Sequence, residues 1–191
     1  MFARSRARGR WLLLTIALVA AASAVALIWL RPTLSYDAIA EGSFSSAGPD
    51  GRRVDAGPFG HYVSIRYRGG LRTGVEASVA NRGDRDVEIT ELGDRAALRA
   101  VSPAGARIAP RPGAARPDRY LPFRPFELRA GQERAVRLGF RTGRCSELLP
   151  GATATVRSFN LRYRVSFAER EQTIELRSPI EFRRGRTCRG R

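Results

Sequence analysis

His61 is the only histidine of the chain, and most general acid–base catalysis and much metal ligation lean on that side chain. One histidine with one methionine and two cysteines does not make up a usual zinc or copper set. A Ser/His/Asp triad can be drawn on paper, yet no G-x-S-x-G turn or comparable context frames a nucleophile. Asp84 and Asp86 fall in a tight turn, where aspartate is expected for its local backbone hydrogen bonds. The sequence therefore predicts no enzyme, no cofactor and no metal site. His61, which follows Gly60 at the start of an alternating run, reads as a solvated side chain.

Cys145 and Cys188 are the only thiols. Outside the cytoplasm an isolated pair most often forms a disulfide, whereas a catalytic redox pair would more naturally be spaced C-x-x-C. The sequence predicts a structural bridge between them, contributing about 3–4 kcal/mol by the chain-entropy argument for a loop of this length. Arg82-Gly83-Asp84 spells the tripeptide that integrin receptors recognise, but an Arg- and Gly-rich chain produces that triplet readily by chance, and turn chemistry accounts for it. The C-terminus gathers Arg183, Arg184, Arg186, Arg189 and Arg191. That cluster is either a solvated, frayed tail or an electrostatic patch for an anionic partner, screened by salt.

All 34 basic residues are arginine, a bias that a GC-rich coding preference explains more simply than function does. The formal charge of +16 is partly topological, because Arg4, Arg6, Arg8 and Arg10 precede an uncharged apolar run from Trp11 to Leu30. Beyond Arg31 the remaining 29 arginines face 18 acidic residues, which favours anionic partners such as acidic polymers or phospholipid headgroups. As a helix, residues 11–30 would span about 30 Å, the thickness of the hydrocarbon core. The only two tryptophans, Trp11 and Trp29, stand at its ends as membrane-interface anchors. The arginine asymmetry directs the N-terminus to the cytoplasm and the remainder outside, a location that argues against nucleic acid as partner. A cleaved signal is the competing reading, but the small-x-small site Ala22-Ser23-Ala24 lies within the apolar run instead of after it.

These elements organise as a cytoplasmic basic tail (1–10), a single transmembrane helix (11–30), a linker with room for an edge strand (31–60), and an extracytoplasmic domain (61–191). Tyr36, Ile39, Phe44 and Phe59 are the linker residues that could pack on that domain. In the domain, period-2 alternation dominates: Val63, Ile65, Tyr67; Val75, Ala77, Val79; Val87, Ile89; Val136, Leu138, Phe140; Leu161, Tyr163, Val165, Phe167; then Ile174, Leu176 and Ile180, Phe182. Six of the eleven prolines fall between Pro103 and Pro125, which predicts a long irregular crossing there. Arg95 to Val101 is a weak helical candidate. The expected fold is all-β, an antiparallel immunoglobulin-like sandwich of seven or eight strands.

Residues 120–188 read Y-L-P-F-R-P-F-E-L-R-A-G-Q-E-R-A-V-R-L-G-F, then Cys145, then S-F-N-L-R-Y-R-V, a closing strand and Cys188. This resembles membrane-anchored actinobacterial envelope proteins with an immunoglobulin-like exterior domain. Val79-Ala80-Asn81-Arg82-Gly83-Asp84 followed by Val87 and Ile89 is similar to a strand–turn–strand of bacterial immunoglobulin-like modules. The resemblance implies scaffolding or binding, with no catalytic residues attached, and fold alone does not give function. The expected activity is that of a membrane-anchored interaction module that contacts an envelope protein or an anionic polymer. The alternative is an accessory subunit whose anchor helix, with its small residues Ala17, Ala20, Ala21, Ala22, Ser23, Ala24 and Ala26, pairs with other membrane helices.

Overall fold

The structure, a computed structural model, describes residues 15–26, 39–42, 47–57, 60–93, 100–113 and 119–188. The chain divides into two compact units, Met1–Tyr36 and Asp37–Arg191. In the first, residues 15–26 form a helix whose residues are all exposed, Ile16, Leu18, Val19 and Val25 among them. That stretch rises about 18 Å. No helix among the described residues is long and apolar enough to cross a membrane. Trp11 and Trp29, expected at the two interfaces, lie outside the described residues.

Among its described residues the second unit has eleven strands: β1 (Ile39–Glu41), β2 (Gly51–Asp55), β3 (His61–Arg66), β4 (Arg72–Asn81), β5 (Val87–Gly93), β6 (Val101–Ile108), β7 (Leu121–Pro122), β8 (Phe126–Leu128), β9 (Glu133–Thr142), β10 (Thr153–Val165) and β11 (Ala168–Arg183). They form a sandwich of two sheets, ordered β1-β4-β9-β6-β7 and β2-β3-β11-β10-β5-β8. Neighbours are antiparallel except β3, which runs parallel to β11. The alternating residues read from the sequence make the core. Ile65, Val79, Ile89, Val136, Leu161, Tyr163, Ile180 and Phe182 are all buried, and Phe140 of β9 meets Phe182 of β11 edge to face, 5.7 Å between ring centroids.

Four departures from the expected strand pattern have local causes. Phe167 does not continue the inward series of β10. The strand ends at Val165, which pairs with Ala168, so Ser166 and Phe167 form a two-residue hairpin loop with Ser166 at φ 54° and Phe167 67% exposed. The Pro103–Pro125 stretch is not wholly irregular. Pro103 sits in β6 at a register shift against β9, where Gly105 takes φ 87° and the ladder needs no proline N–H. Pro122 lies on the short edge strand β7. The two runs around Ile174 and Ile180 are one strand, β11, whose register skips from Glu175 to Ile180 opposite Ser158 and Val156. At the other end of the expected helical candidate, Val101 opens β6; Arg95 lies outside the described residues.

That skip in β11 frees the backbone N–H of Arg177, which donates to the carboxylate of Glu41. Gln172 Nε2 of β11 also donates to the Ile39 carbonyl, 2.6 Å away. Strand β1 therefore belongs to one sheet by its pairing with β4 and is clasped to the other by Glu41. The stretch 31–60, expected as a linker with room for an edge strand, supplies two, β1 and β2, one at the edge of each sheet; Tyr36, Phe44 and Phe59 lie outside the described residues. A second tie is Arg134 of β9. Its half-buried guanidinium donates to the Ala109 carbonyl (2.8 and 3.0 Å) and to Pro110 (3.1 Å) and stacks on Phe126, 4.5 Å from the ring centroid. Burial lowers its pKa.

Cys145 and Cys188 are disulfide-bonded, with their α-carbons 5.9 Å apart. Replacing both by serine is expected to lower the unfolding free energy by about 3–4 kcal/mol. Denaturant unfolding measures this, and an unchanged midpoint would show that the bridge constrains nothing the fold does not already hold.

Glu41 is only 6% exposed, and its Oε1 has no hydrogen-bond partner. Burial raises its pKa above 4.5, with the Arg177 N–H and the Arg177 charge acting the other way. The folded state therefore holds the Glu41 proton more tightly than the unfolded chain does. Its ionisation destabilises the fold as pH rises from 4.5 through the folded-state pKa, and below 4.5 that loss is absent. Glu41→Gln is expected to flatten this part of the stability–pH curve, gaining on the parent protein as pH approaches neutrality. Equal slopes for the two proteins in denaturant titrations would contradict it.

Candidate anion-binding groove

The outer face of the β1-β4-β9-β6-β7 sheet carries a concavity of about 750 Å³. Alternation along β9 creates its floor. With Val136, Leu138 and Phe140 committed to the core, Arg137, Gly139 and Arg141 must point outward. Antiparallel register then aligns Arg72 of β4 with Arg141, and Gly74 with Gly139. On the other side of β9, Arg107 of β6 aligns with Arg137. The result is a pair of arginines, a row of paired glycines, and a second pair of arginines.

Close approach of backbone requires glycine at 139, whereas Gly74 lies under a side chain. A β-carbon on Gly139 would stand 2.6 Å from the Gly105 carbonyl oxygen, and one on Gly74 would stand 2.7 Å from Arg137 Nε. The Arg137 side chain therefore lies over Gly74, and the β6 bulge crowds Gly139 to form a wall. Pro49, Pro103 and Pro122 contribute to the rim, and Asp50 is the single acidic residue lining the hollow.

None of the four groove arginines has a carboxylate within ion-pair distance among the described residues. On the opposite sheet Arg162 pairs with Glu91 (3.0 Å) and Glu171 (3.4 Å), Arg164 with Glu88 (2.8 Å), and Arg183 with Glu181 (2.7 Å), whereas the exposed Arg66 and Arg157 have no carboxylate within ion-pair distance among the described residues. Glu76 aligns with Arg137 across β4–β9 without coming within ion-pair distance of it, and its charge also acts on Tyr120. There burial first, and then the Glu76 charge, push the phenol up to about 12 against the opposing pull of Arg137. That hydroxyl is buried and without a hydrogen-bond partner.

The residues singled out in the sequence lie elsewhere. His61 is exposed at the start of β3, its Nδ1 3.7 Å from Asp55 Oδ1. Arg82-Gly83-Asp84 occupies the β4–β5 turn, which the buried Asn81 organises. Its Oδ1 accepts from the Gly83 N–H (3.1 Å), and its Nδ2 donates to the Arg85 and Leu128 carbonyls (2.6 and 3.0 Å). In the C-terminal cluster Arg183 is held by Glu181 and stacks on Tyr62, 4.8 Å from the ring centroid. Its hydrogen bond to Glu181 raises its pKa. Arg184 donates to the Leu148 carbonyl, Arg186 is exposed, and Arg189 and Arg191 lie outside the described residues. None of these arginines joins the groove. The spacing that marks the groove, Arg137-x-Gly139-x-Arg141 beside Arg72-x-Gly74, was present in the sequence but carried meaning only once β4 and β9 were placed in register.

Like charges directly opposite on neighbouring strands destabilise a sheet. Arg141→Gln is therefore expected to raise the unfolding free energy by about 0.2–1 kcal/mol at low salt, with the gain shrinking as ionic strength rises. Arg164→Gln, which breaks an ion pair instead, is expected to shift stability the opposite way. Denaturant unfolding of both variants provides the check. A loss for Arg141→Gln matching that for Arg164→Gln would mean that the groove charges are not in conflict. No family model matches the chain, and no curated protein matches it, so the groove's chemistry is argued from its own geometry.

Proposed function

We propose that the chain is a membrane-tethered, extracytoplasmic binding module, an immunoglobulin-like sandwich that captures an anionic envelope partner in the groove of the β4–β9–β6 face. The observation that carries this reading is the set of four guanidiniums left without carboxylate partners around one hollow. A protein gains nothing from concentrating like charges unless a counter-charge arrives. The uncharged run from Trp11 to Leu30, preceded by four arginines, supports the tether. So does the helix at residues 15–26, apolar on all sides and exposed on all sides, because such a helix needs an apolar surrounding. The disulfide accords with an oxidising exterior. The same helix supports a second reading, an accessory subunit that pairs with other membrane helices through its alanines and Ser23.

The test is retention of the full chain, in neutral detergent, on a phosphate-ester resin. Replacing Arg72, Arg107, Arg137 and Arg141 together by Gln is expected to move elution to markedly lower salt than replacing Arg66 and Arg157, exposed arginines outside the groove, by Gln. Coincident elution, corrected for the number of charges removed, would assign retention to net charge alone and end the reading.

A further inference from the structure

We propose that the groove is a two-point clamp for a linear, phosphate-bearing polymer, gripping the chain at two arginine pairs set four residues apart along β9. The inference rests on the anion-binding reading and adds a ligand class to it.

Spacing is the first argument. Arg72 and Arg141 form one pair, Arg137 and Arg107 the other, and they are set four residues apart along β9. At the rise of an antiparallel strand that is roughly 14 Å between α-carbons. The hollow of about 750 Å³ is the size of a site for an extended ligand, not for one small ion. A single monoanion would leave most of the four charges uncompensated.

Shape is the second. Between the pairs the Arg137 side chain lies over Gly74 and the Gly105 carbonyl of the β6 bulge stands beside Gly139, so the hollow has no flat floor there. Among the described residues no aromatic lines the hollow, so they offer no stacking platform for a nucleobase, which is how single-stranded nucleic acids are usually held. Recognition is left to the charged groups, and the planar guanidinium fork matches phosphate oxygens two at a time.

Position is the third. The centre of the groove lies on the face of β9, whose backbone is laddered to β4 on one side and to β6 on the other. An acidic polypeptide laid there would find no strand edge to pair with its own backbone. A phosphate polymer has no such need.

The probe is a length series of linear phosphates, from orthophosphate through tripolyphosphate to medium-chain polyphosphate, titrated calorimetrically against the full chain in neutral detergent at fixed ionic strength. Chains long enough to reach both pairs are expected to bind at least about tenfold more tightly than tripolyphosphate, because the second contact becomes intramolecular. The double variants R72Q/R141Q and R107Q/R137Q are each expected to bring the long chain back to the affinity of the short one, whereas R66Q/R157Q leaves the ratio intact. The single variants R72Q and R107Q, which each remove one member of a pair from a strand flanking β9, are expected to lower the long-to-short ratio in part. This keeps the proposal testable should a double variant fail to fold.

Affinity that grows only in proportion to the number of phosphate groups would overturn the clamp while leaving the anion-binding groove in place. Absence of groove-dependent binding at every length would overturn both. Tighter binding of poly-glutamate of matched length would overturn the phosphate assignment in favour of an acidic polypeptide.

Discussion

The alternation of β9 ties the core and the groove into one constraint. Its inward residues Val136, Leu138 and Phe140 close the sandwich, and Phe140 reaches Phe182 of the opposite sheet. Its outward residues Arg137, Gly139 and Arg141 form the centre of the charged hollow. Because successive side chains on a strand face opposite ways, a slip of one residue would bury two arginines and expose the core. The buried apolar face therefore fixes the register, and the register places the arginines opposite one another. Groove geometry is inherited from hydrophobic burial, and the like-charge conflict it creates is carried by a core strong enough to hold it.

Ion pairs on one face contrast with a charged hollow on the other. On the β10 side, Arg162 and Arg164 lie within reach of Glu88, Glu91 and Glu171 on neighbouring strands. Each such exposed pair contributes little to stability. In the hollow on the β9 side, the only acidic lining residue among those described is Asp50.

Much of the sandwich was legible in the sequence because it follows from a local rule. Residues that alternate in type alternate in direction, and the core positions at Ile65, Val79, Val136 and Tyr163 are where that rule puts them. The rule fails where backbone geometry overrides pattern. Phe167 fits the period of β10 but falls in a two-residue reversal, and Pro103 sits inside a strand because a bulge dispenses with its missing donor. Strand β1 was visible only as scattered apolar residues, since its place depends on Glu41 reaching a gap in a distant strand. The groove was missed for a related reason. Density along the sequence drew attention to the C-terminal arginines, of which Arg183 and Arg184 are engaged internally, while the groove arginines are brought together by pairing between strands far apart in the chain.

The parallel alignment of β3 with β11 has a mechanical consequence. The ladder runs from Val63 opposite Ile180 to Arg66 opposite Arg183, and the Tyr67 N–H extends it to the Arg183 carbonyl. Tension drawn between the two ends of the sandwich pulls β3 and β11 lengthwise in opposite senses. Their hydrogen bonds are loaded side by side in shear, instead of opening one after another like a zip.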